Sequence, residues 1–92
     1  MPRQTATVRV YRTAYCPFCI AAVELLDQLG IDYEEIALDQ HPDRRRVTSE
    51  IKPGHTTVPL VVVDDEPVGG YQELTALHQR GGLEPMVFGE PD

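Results

Sequence analysis

Leu60-Val61-Val62-Val63 sets four apolar residues in an unbroken row, three of them β-branched. A strand with one wet face alternates apolar and polar side chains. A run without alternation therefore predicts a central strand covered on both faces. In a chain of 92 residues there is room for one sheet with helices laid on it. A chain of this size buries roughly 60–70% of its unfolded surface, enough for a single layered core.

The flanking patterns supply the other elements. Ala6-Thr7-Val8-Arg9-Val10-Tyr11 alternates and predicts a first strand. Ala21 to Leu29 repeats apolar residues at helical spacing and stops at Gly30. Ile31 to Leu38 reads as a second strand whose alternation slips between Tyr33 and Ile36. Asp39-Gln40-His41-Pro42 is a turn, with Pro42 suited to open a helix over Asp43 to Ile51 that faces Val47 and Ile51 inward and ends at Pro53-Gly54. Asp64-Asp65 turns the central strand into Glu66-Pro67-Val68, and Pro67, lacking a donor, marks an edge. Gly69-Gly70 leads into a last helix with Leu74 and Leu77 inward and Gly81-Gly82 as its stop. The order β-α-β-α-β-β-α is an α/β fold with a four-stranded mixed sheet and helices on both faces. Right-handed crossover makes the first two strands parallel neighbours, and the final hairpin adds antiparallel strands beyond strand one. No repeat or linker interrupts a single domain over residues 1–92, its core in about residues 6–87.

The two cysteines of the chain both lie in Cys16-Pro17-Phe18-Cys19, at the first strand-to-helix junction. With the helix starting at Pro17, Cys16 is its N-cap, and free amides and the macrodipole face its sulfur. That setting favours the thiolate, the species that attacks disulfides. Cys19 lies one turn inside, more buried, on the same face, where a disulfide can close. The spacing predicts Cys16 as attacker and Cys19 as resolver. A structural zinc site wants about four ligands, and His41, His55 and His78 are dispersed without ligand spacing. A permanent disulfide across so short a loop would constrain the unfolded chain little.

A net charge of −7 argues against nucleic acid and anionic membranes as partners. Basic residues gather in Arg3, Arg9 and Arg12, with no acid before Cys19, and in Arg44-Arg45-Arg46. Two cysteines are too few for a secreted scaffold, and Met1 to Thr7 hold no apolar run of signal-peptide length. A cytoplasmic, reducing setting is expected, in which the pair cycles.

Thr57-Val58-Pro59 before the apolar strand and Gly69-Gly70 before the last helix join the cysteine motif in a set whose order and spacing resemble the glutaredoxin family. The resemblance runs from about Thr7 to Val87 and is nearest the small bacterial dithiol glutaredoxins. It implies a thioredoxin-like fold and a cis bond before Pro59, beside the cysteines. It also implies that Thr57, Val58 and Pro59 pair with glutathione as with an added strand. Gly70, Tyr71 and Gln72 would bind its γ-glutamyl carboxylate at helix-terminal amides, and Phe18 would form an apolar wall. Gln72 replaces the family's usual aspartate, with Glu73 adjacent, and Thr13 replaces its usual lysine. Arg12 and one of Arg44–Arg46 are thus the candidates to hold the glycine carboxylate.

The activity so implied is a glutathione-dependent thiol–disulfide oxidoreductase, a monomer acting on glutathionylated or disulfide-containing proteins without a metal. Two alternatives stand beside it. One is a dithiol reductase served by thioredoxin reductase or another low-molecular-weight thiol. The other is a dimeric iron–sulfur cluster carrier, against which the rigid Pro17 speaks.

Overall fold

The computed structural model describes residues 4–89. Met1, Pro2 and the basic Arg3, with residues 90–92 of the expected domain, lie outside the described residues. The elements are β1 (Val8–Arg12), α1 (Pro17–Gln28), β2 (Glu34–Ala37), α2 (Arg44–Ile51), β3 (Leu60–Val63), β4 (Glu66–Gly69), α3 (Tyr71–Gln79) and α4 (Leu83–Phe88). The sheet order is β2-β1-β3-β4, with β2 parallel to β1 and both other pairings antiparallel. This is the mixed, thioredoxin-like arrangement expected, with Pro67 on the edge strand.

All four residues of β3 are buried. Val61 and Val63 join Val8 and Val10 of β1 on one face, against Ala22 and Leu26 of α1, Leu74 of α3, and Leu83 and Val87 of α4. Leu60 and Val62 alternate to the other face, where they too are buried. Asp64 and Asp65 both take positive φ, 48° and 66°, as a two-residue hairpin turn requires. Asp64 Oδ1 also accepts from the Thr7 amide at 2.9 Å, tying the hairpin to the entry of β1.

The structure corrects several sequence expectations. β2 begins at Glu34 rather than Ile31, because Ile31 closes α1. Gly30, at φ 69°, donates to the Asp27 carbonyl at 3.1 Å, and Ile31 donates to that of Leu26 at 3.0 Å. These are the two bonds of a Schellman cap, and the Leu26–Ile31 apolar pair is buried beneath them. α2 starts one residue later than expected, since Asp43 is its N-cap and accepts from the Arg46 amide at 3.3 Å. Its inward residue is Thr48, not Val47 or Ile51, which are only half-buried. Burial of that hydroxyl is possible because it donates to the carbonyls of Arg44 and Arg45 at 3.3 and 3.1 Å. Leu77 is half-buried and packs against the core as expected.

Gly81 and Gly82 do stop α3, but an additional helix, α4, follows them. Six residues are too few to display a period. Leu83 and Val87 nevertheless form an i,i+4 pair wholly inside the core, and the Val87 carbonyl accepts from the amides of Thr5 and Ala6 at 2.9 and 3.0 Å.

Leu26 is fully buried and also anchors the helix cap, so Leu26→Ala removes core contacts and the cap's apolar partner together. The expected loss is about 2–5 kcal/mol, read from the urea midpoint at unchanged slope.

Candidate active site

β1 delivers the chain to a tight joint before α1. The joint is held from β2's side by Asp39, whose Oδ1 and Oδ2 accept from the Ala14 amide at 2.8 and 3.0 Å. Cys16 then takes an extended conformation (φ −90°, ψ 115°) as N-cap of α1, with Pro17 in the first turn. The Cys19 amide donates to Cys16 Sγ at 3.4 Å, and the Ile20 amide to the Cys16 carbonyl at 3.0 Å. An N–H aimed at sulfur at the positive end of a helix favours negative charge there.

The two sulfurs differ sharply in setting. Both are free thiols, with Cys16 half-buried and Cys19 buried; Cys19 is 0% exposed. Burial pushes the Cys19 thiol up from the usual 9.0 to about 12, helped by its hydrogen bond to the Cys16 side chain and the charge there. A hydrogen bond with the Thr13 backbone and, more weakly, the Arg12 guanidinium act in the opposite direction and are outweighed. At neutral pH Cys19 is thus the proton-bearing partner.

Beside Cys16 lies the Val58–Pro59 peptide bond, which is cis. The Cys16 thiol is 3.7 Å from the Val58 carbonyl, to which it donates when protonated. From there a groove of about 190 Å³ opens between the start of β3 and the start of α3. Phe18, Thr57, Val58, Pro59, Gly70, Tyr71 and Gln72, seven of the residues that the resemblance assigns to glutathione, are brought together in its lining. The rings of Phe18 and Tyr71 face each other with centroids 6.3 Å apart, and Phe18 is 58% exposed. Gly70 is the N-cap of α3, and its amide donates to Glu73 Oε1 at 3.4 Å.

Arg12 does not line the groove. Its Nη1 bonds Glu35 Oε1 at 2.8 Å across the β1–β2 pair. The arginines of α2 lie outside it as well, and Arg46 Nε bonds Glu50 Oε1 at 2.9 Å. Two groove residues absent from the sequence-derived site, His55 and Glu73, complete the lining. His55 Nε2 lies 3.1 Å from the Pro59 carbonyl oxygen. Its place four residues before the proline was the available signal. Asp39 gave none, being one of several acids near a turn. Among the described residues no group of three His, Cys, Asp or Glu side chains converges as a metal-ligand set.

A profile of the glutaredoxin family matches residues 8–68. A glutaredoxin of Pseudomonas aeruginosa is 41% identical over 80 residues, spanning 87% of this chain and 94% of its own. Glutaredoxin 3 of Escherichia coli K12 is 35% identical over 82 residues, spanning 89% and 98%. Among solved structures, the glutaredoxin of Brucella melitensis superposes with a TM-score of 0.81 at 29% identity, covering 97% of this chain and 96% of that one. The buckwheat glutaredoxin–glutathione complex gives 0.80 at 32% identity, covering 87% and 74%. With the matched segment running from β1 through both cysteines to β4, the chain belongs to the glutaredoxin family and is a thiol–disulfide oxidoreductase.

Proposed function

We propose that the reductant is glutathione and that the protein reduces glutathionylated proteins and protein disulfides through a Cys16 thiolate, with Cys19 resolving. The observation that carries this reading is the half-buried Cys16 sulfur, which accepts an amide hydrogen bond and lies 3.7 Å from the Val58 carbonyl, on the main-chain edge that lines the groove. An extended tripeptide fits such an edge as an added strand. The likeness to a glutaredoxin solved with glutathione supports the same ligand.

On a glutathionylated protein, the Cys16 thiolate attacks the glutathionyl sulfur. The old S–S bond breaks, and the protein leaves as a thiolate that takes a proton from water. A glutathione thiolate then attacks the sulfur bound to Cys16, giving oxidised glutathione and restoring the Cys16 thiolate. On a protein disulfide, Cys16 forms a mixed disulfide and one substrate sulfur leaves. Cys19 then attacks Cys16 Sγ and passes its proton to the departing second thiolate. Burial keeps Cys19 a thiol while Cys16 attacks, so the two sulfurs act in sequence.

A second reading keeps the thiol chemistry and assigns reduction to thioredoxin reductase or another low-molecular-weight thiol. The pairing of Arg12 with Glu35 favours it, by occupying a cation expected for the glycine carboxylate. Coupled assays with each reductant in turn separate the two.

Cys16→Ser is expected to bring turnover of a glutathionylated substrate down to the uncatalysed rate. Cys19→Ser should keep that activity within the same order of magnitude, while reduction of a protein disulfide falls on the order of tenfold or more, since the intramolecular step is lost. Equal losses from both substitutions in both assays would contradict the division of labour.

A pH dependence follows from the same thiol. The folded state holds the Cys19 proton to about 12 against the usual 9.0, so it binds that proton more tightly than the unfolded chain does. This contribution is fully present below about pH 9 and is lost as the pH rises toward 12. Between about pH 7 and about pH 11, reduced wild-type protein should therefore lose more unfolding free energy than Cys19→Ala does. Tyr33, pushed up to about 12 by burial and its bond to Asp27, adds the same slope to both. Parallel declines of the urea midpoints would contradict the assignment.

A further inference from the structure

The groove beside Cys16 is poor in positive charge, although the ligand assigned to it carries two carboxylates and one ammonium group. Among the described residues that line it, His55 is the one side chain able to become a cation, and Glu73 is the one carboxylate. None of the candidate arginines lines the groove, and two of them are paired elsewhere, Arg12 with Glu35 and Arg46 with Glu50.

The His55 ring is fixed from one side. Its Nε2 is 3.1 Å from the Pro59 carbonyl oxygen. A carbonyl oxygen only accepts, so Nε2 carries hydrogen in both the neutral and the charged ring. Protonation must then occur at Nδ1, and it leaves the anchoring bond intact. The ring can change charge without changing place. Its Cε1 stands 3.5 Å from the point where a Gly70 side chain would begin, and the Pro59 carbonyl oxygen and Glu73 Oε1 stand 3.5 and 3.9 Å from that same point. The imidazole thus borders the first amides of α3.

We propose that His55 is a specificity-determining residue of the glutathione groove, whose imidazolium, anchored on the Pro59 carbonyl, attracts a ligand carboxylate. Affinity for the anionic tripeptide then rises with acidity as the ring gains its charge. The proposal rests on the glutathione reading and adds to it a charge that can be switched. Linkage makes the effect reciprocal: a bound carboxylate raises the pH at which His55 releases its proton. The titratable or charged groups nearest the ring are Lys52, whose carbonyl accepts from the His55 amide, Cys16 beside Val58, and Tyr71 and Glu73 in the groove lining; α2 also carries Arg44, Arg45, Arg46 and Glu50, and α3 carries His78 in its last turn.

The test uses S-methylglutathione, which keeps both carboxylates and cannot exchange thiols. The protein is the full chain carrying Cys16→Ser, so that no Cys16 thiolate titrates at the groove. Its affinity is measured by calorimetry from about pH 8.0 to about pH 5.5, with and without His55→Gln. Glutamine keeps a donor for the Pro59 carbonyl and has no charge, and Lys52, Tyr71 and Glu73 are common to both proteins. The parent should bind about three- to tenfold more tightly at the lower pH, while His55→Gln stays flat near the parent's high-pH value. Equal slopes, or a flat parent, overturn the proposal. Should the glutamine variant fold poorly, the Hε1 resonance of His55 in the parent supplies a second readout. Saturating ligand should raise its titration midpoint by about 0.5–1 pH unit, and an unmoved midpoint overturns the proposal. Binding without a pH slope sinks the role of His55 alone, whereas no binding at any pH sinks the glutathione reading with it.

Discussion

The hydrogen bond from the Cys19 amide to the Cys16 sulfur is the contact on which the site depends. It exists because Cys16 is the last extended residue before α1 and because Pro17 can occupy the first turn without losing a bond. The same geometry buries Cys19 one turn along, where desolvation keeps it protonated. One local conformation thus gives a motif of two chemically alike side chains two unlike settings. Placement of that conformation is a property of the whole sheet. β1 aims the chain at the joint, Asp39 fastens the joint from beside β2, and β3 brings Val58 and Pro59 up against the sulfur.

The groove follows from the same sheet. β1 and β3 are neighbours, so the start of β3 lies beside the start of α1, while the β3–β4 hairpin returns the chain to the start of α3 next to both. Phe18 and Tyr71, from two different helices, close one wall through a tilted ring contact. Residues distant in sequence therefore converge on Cys16 without any long loop.

Much of this was legible because the decisive signals are local. The unbroken Leu60–Val63 run marked a doubly covered strand, Pro67 marked an edge, and Gly30 marked a helix end, each through a backbone or burial requirement of that residue. The Cys16 cap was legible for the same reason. What escaped depended on tertiary context. Ile31 looked like strand and serves as the apolar closure of α1, a role visible only once Leu26 is placed beneath it. Thr48 is polar in type yet buried, because two helix carbonyls accept its hydroxyl. α4 is too short to show a period. At the site, Arg12 stood next to the expected cation position, but Glu35 on the adjacent strand claims it. His55 is legible in the sequence only as an unlikely metal ligand, since its place four residues before Pro59 does not by itself tell that its ring reaches that carbonyl.

The central claim is that α1's entrance separates an accessible sulfur, which accepts an amide hydrogen bond, from a buried, protonated one. Limiting iodoacetamide added to the reduced native protein at neutral pH, followed by peptide mapping, tests this directly. The account predicts a single label on Cys16, with Cys19 unlabelled until the protein is unfolded. Labelling of Cys19 in the native protein at a rate comparable to Cys16 would contradict it.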